Sequence, residues 1–290
     1  PYEYNTEQFW TVDSWRTMSI GAATIVLSES NKYDESLVIA VDPPFLHTPK
    51  LIEKSKKEYN VKIKSLISMY STSYLHDKGN YSADRLSWEY NGFVSSKVYK
   101  DIYIGSICKF ITQHIAKDYG VPLDRFAPYQ SSLLINSEKF KKVHENEQIQ
   151  ILKKYNIPQN KNIVFAFGRA NKIKGFDILL QALSYMKEPI PKLLLVGDGP
   201  EKATLGTLAS SLQIDDKVKF CGLCSPRQIA SLMQGSSFCV IPSREEGFPL
   251  TALEAMASSR AIVATKVGGL TLAVHPNQNG MLVSPNDPLE

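Results

Sequence analysis

The chain has 290 residues, of which 43% are hydrophobic and 21% are charged, and its formal net charge is +4 at pH 7. These values are typical of a globular protein and exclude a disordered or low-complexity chain. The length accommodates one large domain or two of ordinary size. A net charge this small for the length gives no reason to expect a nucleic-acid partner.

Lysines are concentrated in one part of the first half of the chain. They are Lys50, Lys54, Lys56, Lys57, Lys62 and Lys64. The favoured interpretation is a solvated face. The alternative is a weak attraction to an acidic substrate or to an acidic membrane surface, which would make the protein a peripheral membrane binder.

The cysteines give no sign of a metal or disulfide framework. Of the four, Cys221 and Cys224 form a single Cys-x-x-Cys, and a zinc site would need a second pair of ligands at matching spacing. Because Cys221 ends an apolar run, we interpret it as a core cysteine at a strand end. We therefore expect no metal site and a reducing compartment, the cytoplasm. The longest apolar stretch near the start is too short to span a bilayer, and no leader sequence is visible.

Three short apolar runs in the first half predict β-strands at residues 36–42, 63–70 and 101–106. Helical patterns lie between and after them. Three strands are few for a Rossmann-type sheet, which has about six. We therefore expect residues 1–150 to comprise a partial N-terminal Rossmann-like domain with its linker, and residues 126–160 are the candidate connection between the domains.

The second half alternates apolar runs with helical patterns. The runs are residues 162–168, 192–198, 217–222, 237–242, 261–265 and 280–285. They are apolar on both alternating faces, which is typical of parallel strands covered on both sides. The alternation predicts a doubly wound α/β domain over residues 151–290. A further helix is expected to follow the last strand.

Ligands of such sheets bind beyond the carboxyl ends of the strands, so the residues that follow each strand are the candidates. After the first strand of the second half come Gly168, Arg169 and Lys174. A planar guanidinium and a compact ammonium can bracket a polyanion, and a helix start nearby adds backbone N–H groups. Taken alone, such residues are more often surface charges.

Glycines follow two other strands. Gly197 lies in "GDGP", and Gly268 and Gly269 lie in "TKVGGL". Each group allows either a plain turn or a close backbone approach to a ligand, and the local sequence does not separate the two.

The segment "PSREEGFPLTALEAMA", residues 242–257, places one carboxylate on each side of a turn. Glu246 precedes the turn, Pro249 lies where a helix begins, and Glu254 follows inside that helix. Carboxylates accept hydrogen bonds from paired hydroxyls, which sugars offer, and amides at a helix start favour an anion. The stripe predicted to be buried comprises Leu250, Leu253 and Ala257.

These pieces, in this order, resemble the retaining GT-B glycosyltransferases of the glycogen-synthase-like group 1 type, which use nucleotide sugars. The resemblance covers roughly residues 150–290 and is carried by "FGRANKIKG", "LLLVGDGP", "SREEGFPLTALEAMA", "ATKVGG" and "NGMLVSPND". It implies an α/β GT-B fold, in which two Rossmann-like doubly wound domains face each other across a cleft, the first of them partial here.

The resemblance also implies roles for individual residues. Arg169 and Lys174 would hold the donor diphosphate, Glu246 the transferred sugar and Glu254 the ribose. The residues expected to contact the donor through backbone or close approach are Gly168, Gly197, Phe248, Pro249, Leu250, Gly268 and Gly269.

The first half resembles the group less closely. In "YSTSYLHDKGN", Tyr70 stands where relatives have a histidine near the reacting centre, and Ser73 stands where they have a glutamate. His76 lies close by, although a histidine in a turn is more often structural.

The resemblance implies transfer of a sugar from a nucleoside diphosphate to an acceptor hydroxyl with retained configuration, and no further cofactor. The acceptor would be a sugar, a polysaccharide, a lipid or a small molecule. The sequence contains no Asp-x-Asp, so we expect no metal requirement. Tyr70 and Ser73 favour an alternative, a catalytically impaired nucleotide-sugar-binding protein or a partner subunit of an active transferase. A nucleotide-sugar epimerase is a further alternative.

Overall fold

The computed structural model describes residues 11–70, 72, 82–127, 135–157 and 162–290. Contacts divide the chain into two compact units, Pro1–Leu133 and Leu134–Glu290. No helix in the described ranges has the length and apolar character needed to cross a membrane. Ser73 and His76 lie outside the described residues.

The first unit contains a parallel three-stranded sheet of order β1-β2-β3. Its strands are β1 (Ser36–Val41), β2 (Ile63–Met69) and β3 (Ile102–Ser106). Its helices are α1 (Val12–Ser30), the single turn α2 (Asp42–Phe45), α3 (Thr48–Ser55), α4 (Ala83–Val98) and α5 (Lys109–Asp118). The three strands predicted in this half are thus confirmed.

The second unit contains a parallel six-stranded sheet of order β6-β5-β4-β7-β8-β9. Its strands are β4 (Ile163–Phe167), β5 (Lys192–Val196), β6 (Val218–Gly222), β7 (Phe238–Ile241), β8 (Ile262–Thr265) and β9 (Gly280–Val283). Its helices are α6 (Glu145–Lys154), α7 (Phe176–Tyr185), α8 (Lys202–Ser211), α9 (Pro226–Gln234), α10 (Leu250–Ala257) and the single turn α11 (Leu270–Ala273).

Both faces of the second sheet are buried, as the apolar runs predicted. Along β4, Ile163 and Phe165 pack with α6, α9 and α10, whereas Val164 and Ala166 pack with α7 and α8. Successive side chains of a strand point to opposite faces, so each strand contributes to two separate cores. Burial on both sides explains why these strands are continuous apolar runs rather than alternating ones.

The boundary between the units precedes the predicted one at residue 150. The segment that we interpreted as a linker packs on the second unit, where Phe140 and Val143 form a buried cluster with Ala230. Gln234 donates through its side-chain amide to the Phe140 carbonyl and accepts from the Val143 N–H. The two hydrogen bonds join residues 94 and 91 positions apart in the chain, and local sequence carries no signal for them.

Helix α10 buries a different face from the predicted one. Ala252 and Ala255 are fully buried against the sheet, whereas Leu250, Leu253 and Ala257 are only partly covered. Small side chains let the helix axis lie close to β7 and β8, which explains why alanines rather than leucines face the core. The prediction of the buried stripe was therefore wrong.

Candidate functional site

The order of the second sheet creates a switch point between β4 and β7. Strands β5 and β6 are added on one side of β4, and β7 then pairs with the other side of β4. At such a point the loops that follow the two central strands diverge and leave a crevice at the carboxyl edge. The loops concerned here are residues 168–175 after β4 and residues 242–249 after β7.

Lys174 and Glu246 meet at this switch point. The Lys174 ammonium donates to Glu246 Oε2 at 2.7 Å, and the two side chains are 21% and 11% exposed. Ser243 Oγ lies 3.4 Å from the same carboxylate oxygen. Burying two charges to this extent costs free energy that can exceed their mutual attraction. This ion pair is therefore weak evidence for a stabilising role and stronger evidence for a functional one.

The loop after β4 is shaped to reach Glu246. Asn171 accepts from the Lys174 N–H through its side chain and so caps the short turn Lys172–Lys174. Gly175 then adopts the left-handed conformation at φ 65°, and a Cβ there would overlap the Pro242 carbonyl. Glycine is required because the two loops touch through their backbones.

Arg244 ties the two loops together. Its guanidinium forms a bidentate pair with Asp177 at 2.8 and 2.7 Å and also donates to the Lys172 carbonyl, while its N–H donates to the Ile173 carbonyl at 2.7 Å. Sequence reasoning missed this residue. The sequence near Arg244 gives no signal for it beyond its position two residues before Glu246, because its side-chain partners lie about 70 residues earlier and, in Asn286, 42 residues later.

The turn between Glu246 and α10 rests on the loop after β8. The Gly269 N–H donates to the Glu246 carbonyl at 2.8 Å, and a Cβ on Gly269 would lie 2.5 Å from the Gly247 carbonyl oxygen. The Leu250 N–H donates to the Phe248 carbonyl across Pro249, which makes an inverse γ-turn. Gly269 is therefore needed for packing between two loops, whatever it contacts in addition.

The start of α10 carries one polar side chain that the fold leaves unused. The N–H groups of Leu250, Ala252 and Leu253 donate to the carbonyls of Phe248 and Pro249. Thr251 Oγ1 is buried there and has no hydrogen-bond partner among the described residues. A buried hydroxyl without a partner is a candidate for contact with a ligand.

Glu254 lies one turn further along α10. Within the described part of the chain its carboxylate has no hydrogen bond or ion pair. Burial raises the pKa of this carboxyl to about 7. An unpaired, half-buried carboxylate that titrates near neutrality is a candidate ligand-binding group.

Arg169 lies at a neighbouring cleft of about 370 Å³ at the carboxyl ends of β4, β5 and β6. The cleft is lined by Phe167, Gly168, Arg169, Val196, Gly197, Asp198, Leu223, Cys224 and Ile229. Arg169 is exposed, and the described residues provide no partner for its guanidinium. The structure thus brings Lys174 into contact with Glu246 and leaves Arg169 free at the mouth of the adjoining cleft.

Comparison with known proteins identifies this domain. The sequence profile described as "Glycosyl transferases group 1" matches residues 147–290. The second half of the chain belongs to the Glycosyl transferases group 1 family.

Two relatives match about half of the chain at similar levels of identity. A D-inositol 3-phosphate glycosyltransferase of Corynebacterium urealyticum is 32% identical over 52% of this chain and 38% of its own length. An N-acetyl-alpha-D-glucosaminyl L-malate synthase of Bacillus anthracis is 33% identical over 49% of this chain and 37% of its own length. The chain thus spans under two fifths of these relatives.

Solved structures extend the likeness to the first unit. The HepE protein of Anabaena, solved in complex with UDP, has a TM-score of 0.76 at 19% identity, over 92% of this chain and 69% of its own. The sucrose-phosphate synthase of Thermosynechococcus elongatus has a TM-score of 0.74 at 22% identity, over 94% and 66%. These similarities confirm the predicted α/β GT-B fold.

Two glycines of the group 1 domain have a structural explanation. A Cβ on Gly197 would overlap the Gly168 carbonyl, and one on Gly199 would overlap that of Ala170. "GDGP" is therefore a place where two strand-end loops touch. Contact of Gly168, Gly197 or Gly268 with a ligand stays a prediction.

The pKa of Glu254 gives a stability prediction for the group 1 domain. Because its folded pKa lies above the unfolded value of 4.5, the native state holds a proton more tightly between pH 4.5 and about 7. Its effect on stability therefore becomes unfavourable as pH rises through this window. We expect Glu254→Gln to be more stable relative to wild type at pH 8 than at pH 4.5, measured by urea denaturation at both values. A difference that is independent of pH would contradict the assignment.

Proposed function

We propose that the protein transfers a sugar from a nucleoside diphosphate to an acceptor hydroxyl and retains the anomeric configuration. The observation that carries the proposal is the Lys174–Glu246 pair at the switch point of a group 1 domain, beside a helix start with an unused hydroxyl. The Anabaena neighbour, which binds UDP and UDP-glucose, supports a nucleotide-sugar donor.

The cation at the switch point suits the leaving group. As the bond between the anomeric carbon and the diphosphate breaks, negative charge builds up on the diphosphate oxygens. Lys174, Arg169 and the start of α10 would stabilise that charge without rearranging at the moment of reaction. Because these groups supply positive charge themselves, we propose that the transfer needs no metal ion.

The carboxylates suit the two sugars of the donor. Glu246 would accept from hydroxyls of the transferred sugar while its pairing fixes the position of Lys174. Glu254 would accept from the ribose hydroxyls and would do so best when ionised, which its pKa of about 7 places at neutral and higher pH. We propose the same donor contacts for the backbone of Phe248, Pro249 and Leu250.

The proton balance needs no separate base. The acceptor hydroxyl forms its bond to the anomeric carbon on the face that the diphosphate leaves, and its proton passes to the departing diphosphate oxygen. This route fits a first unit in which Tyr70 occupies the position of the expected histidine. Tyr70 is partly buried, and its N–H donates to Asp42 Oδ1 at 3.0 Å.

Tyr70 also favours a second candidate function, binding of a nucleotide sugar without transfer. The two candidates share the donor site and differ in chemistry. Formation of a glycoside, or hydrolysis of the donor, by the purified protein separates them, since a binding protein gives neither product.

A thermal-shift screen tests the donor site. We expect one set among UDP, GDP and ADP and their sugars to raise the melting temperature by about 5 °C at a hundredfold excess over Kd, because a ligand of the native state stabilises it by mass action. The matching nucleoside and its monophosphate serve as controls and should give smaller shifts, since they lack the diphosphate that Lys174 would bind. No shift with any of the diphosphates would refute the proposal.

A further inference from the structure

The outer edge of strand β1 is open. In the first sheet, whose order is β1-β2-β3, β1 pairs with β2 alone among the described residues. The Ser36 N–H donates to the Lys62 carbonyl at 2.9 Å, so the peptide groups of Ser36 and of every second residue after it face β2. Because peptide groups alternate in direction along a strand, those of Leu37 and Ile39 face outwards. Within the described ranges, these outward groups have no hydrogen-bond partner.

The opposite edge of the same sheet is closed. The Ala127 N–H donates to the Ile104 carbonyl at 2.8 Å, and Phe126 forms a β-bridge with Ile104. The Arg125 guanidinium donates to the Ile102 carbonyl at 2.6 Å. The outward carbonyls of β3 thus have partners in the same chain, and the open edge of this sheet is the one formed by β1.

Strand β1 has none of the features that keep an open edge from pairing. Its sequence, SLVIAV, contains no charged residue and no proline, and its register with β2 is regular. Charges, prolines, bulges and short length are the usual means of protecting an edge strand. The edge strands of the second sheet have them, since β6 contains Lys219 and a register shift against β5, and β9 is only 4 residues long.

Apolar side chains flank this edge on both faces of the sheet. On one face, Leu37 and Ile39 are 63% and 55% exposed. On the other face, Val38 and Val26 of α1 pack against a buried cluster shared by α1, α3 and β2, and both are only partly buried. Exposed apolar side chains beside unpaired backbone groups are typical of an interaction surface.

The chemistry of the edge specifies its partner. A row of outward peptide groups is matched by the extended backbone of another strand. A charged strand would require a partner of opposite charge, because like charges placed opposite each other are destabilising. A neutral, apolar strand is compatible with its own copy, and a twofold axis perpendicular to the sheet brings two such strands together antiparallel.

We propose that two copies of this chain associate through antiparallel pairing of their β1 strands. With Val38 on the twofold axis, Leu37 of each copy exchanges a pair of hydrogen bonds with Ile39 of the partner subunit. The same register places the exposed Leu37 and Ile39 side chains against one another on one face. Two three-stranded sheets thereby become one continuous sheet of ordinary size. The contact uses no residue of the proposed donor site, so it does not depend on the proposed function.

Sedimentation equilibrium of the whole chain, over about 2 to 200 μM, tests the association. We expect the mass to rise from 32.4 kDa towards twice that value, with a dissociation constant on the order of 10 μM because the interface is small. Ile39→Lys should weaken the dimer at least tenfold, since it places an ammonium group in the apolar contact. The matched control is Val98→Lys, which adds the same charge at a 68% exposed valine at the end of α4 and should change the dissociation constant less than twofold.

Three results of this measurement would overturn the proposal. They are a wild-type protein that stays monomeric over the whole range, an equal loss of dimer in the two variants, and oligomers that continue to grow beyond the dimer, because a twofold contact closes on itself. Circular dichroism checks that both variants fold.

Hydrogen exchange of the wild-type protein gives a readout that needs no variant. The Leu37 and Ile39 N–H groups gain acceptors only in the dimer, so exchange over residues 36–41 should become slower as the protein concentration rises. A dimer in which these residues exchange at the same rate as in the monomer would assign the contact to a different surface and refute pairing through β1.

Discussion

Replacing Lys174 by alanine should lower turnover about a hundredfold, the effect of removing one preorganised donor from a developing oxyanion. The Lys174 ammonium donates to Glu246 at 2.7 Å, and both side chains are mostly buried. A charge interacts more strongly with another charge there than it does in water. Arg169→Ala should have an effect of similar size if its free guanidinium reaches the same diphosphate. Transfer or donor hydrolysis at saturating donor is the measurement.

Lys172→Ala is the matched control for Lys174→Ala. Lys172 is exposed on the same short turn, and only its carbonyl takes part in the loop contacts, through Arg244. Its replacement should leave turnover within twofold of wild type. Wild-type turnover in both Lys174→Ala and Arg169→Ala would rule out the phosphate role.

The strands could be predicted because their signal is local. A strand such as β5, with four of its five residues buried, must be apolar along its whole length, and this is visible in five consecutive letters. The site followed from the strands, since carboxyl ends of parallel strands lie at one edge and β4 and β7 are neighbours. Lys174 and Glu246 could therefore be expected to approach each other from 72 positions apart.

Features that depend on pairs of distant residues could not be predicted. Arg244 looks like any loop arginine until Asp177 is placed beside it, and Phe140 looks like part of a linker until α9 is placed beneath it. The buried face of α10 was missed for a related reason. Hydrophobicity favoured its leucines, whereas the small gap to the sheet selects alanines.

Gly197 is a clear example of a feature that the sequence alone could not predict. The sequence left open whether Gly197 approaches a ligand or forms a turn, and only the position of the neighbouring loop shows what a side chain would meet. Gly197 has φ 133°, its N–H donates to the Gly222 carbonyl at 2.9 Å, and its Cα faces the Gly168 carbonyl. Backbone on two sides leaves no room for a methyl group.

Gly197→Ala should therefore destabilise the protein by about 3 kcal/mol or more, since it combines an unfavourable backbone conformation with overpacking against a rigid carbonyl. The obstacle is backbone, so a change of rotamer cannot relieve it. The free energy of unfolding, from urea denaturation without ligand, is the measurement. Because Gly168 leads directly to Arg169, any variant that does fold should also bind the donor less tightly.

Gly206→Ala is the control that separates this packing effect from glycine replacement in general. Gly206 lies inside α8, and a Cβ there would meet nothing within 4 Å. Alanine is the better helix former, so this variant should gain about 0.5–1 kcal/mol. A lower free energy of unfolding for Gly197→Ala together with a higher one for Gly206→Ala would show that the loss at Gly197 comes from contact between the loops after β4 and β5. A loss of similar size at both positions would contradict the attribution to loop contact. No loss at Gly197 would mean that these loops can separate, and Gly197 would again be a candidate for approach to a ligand.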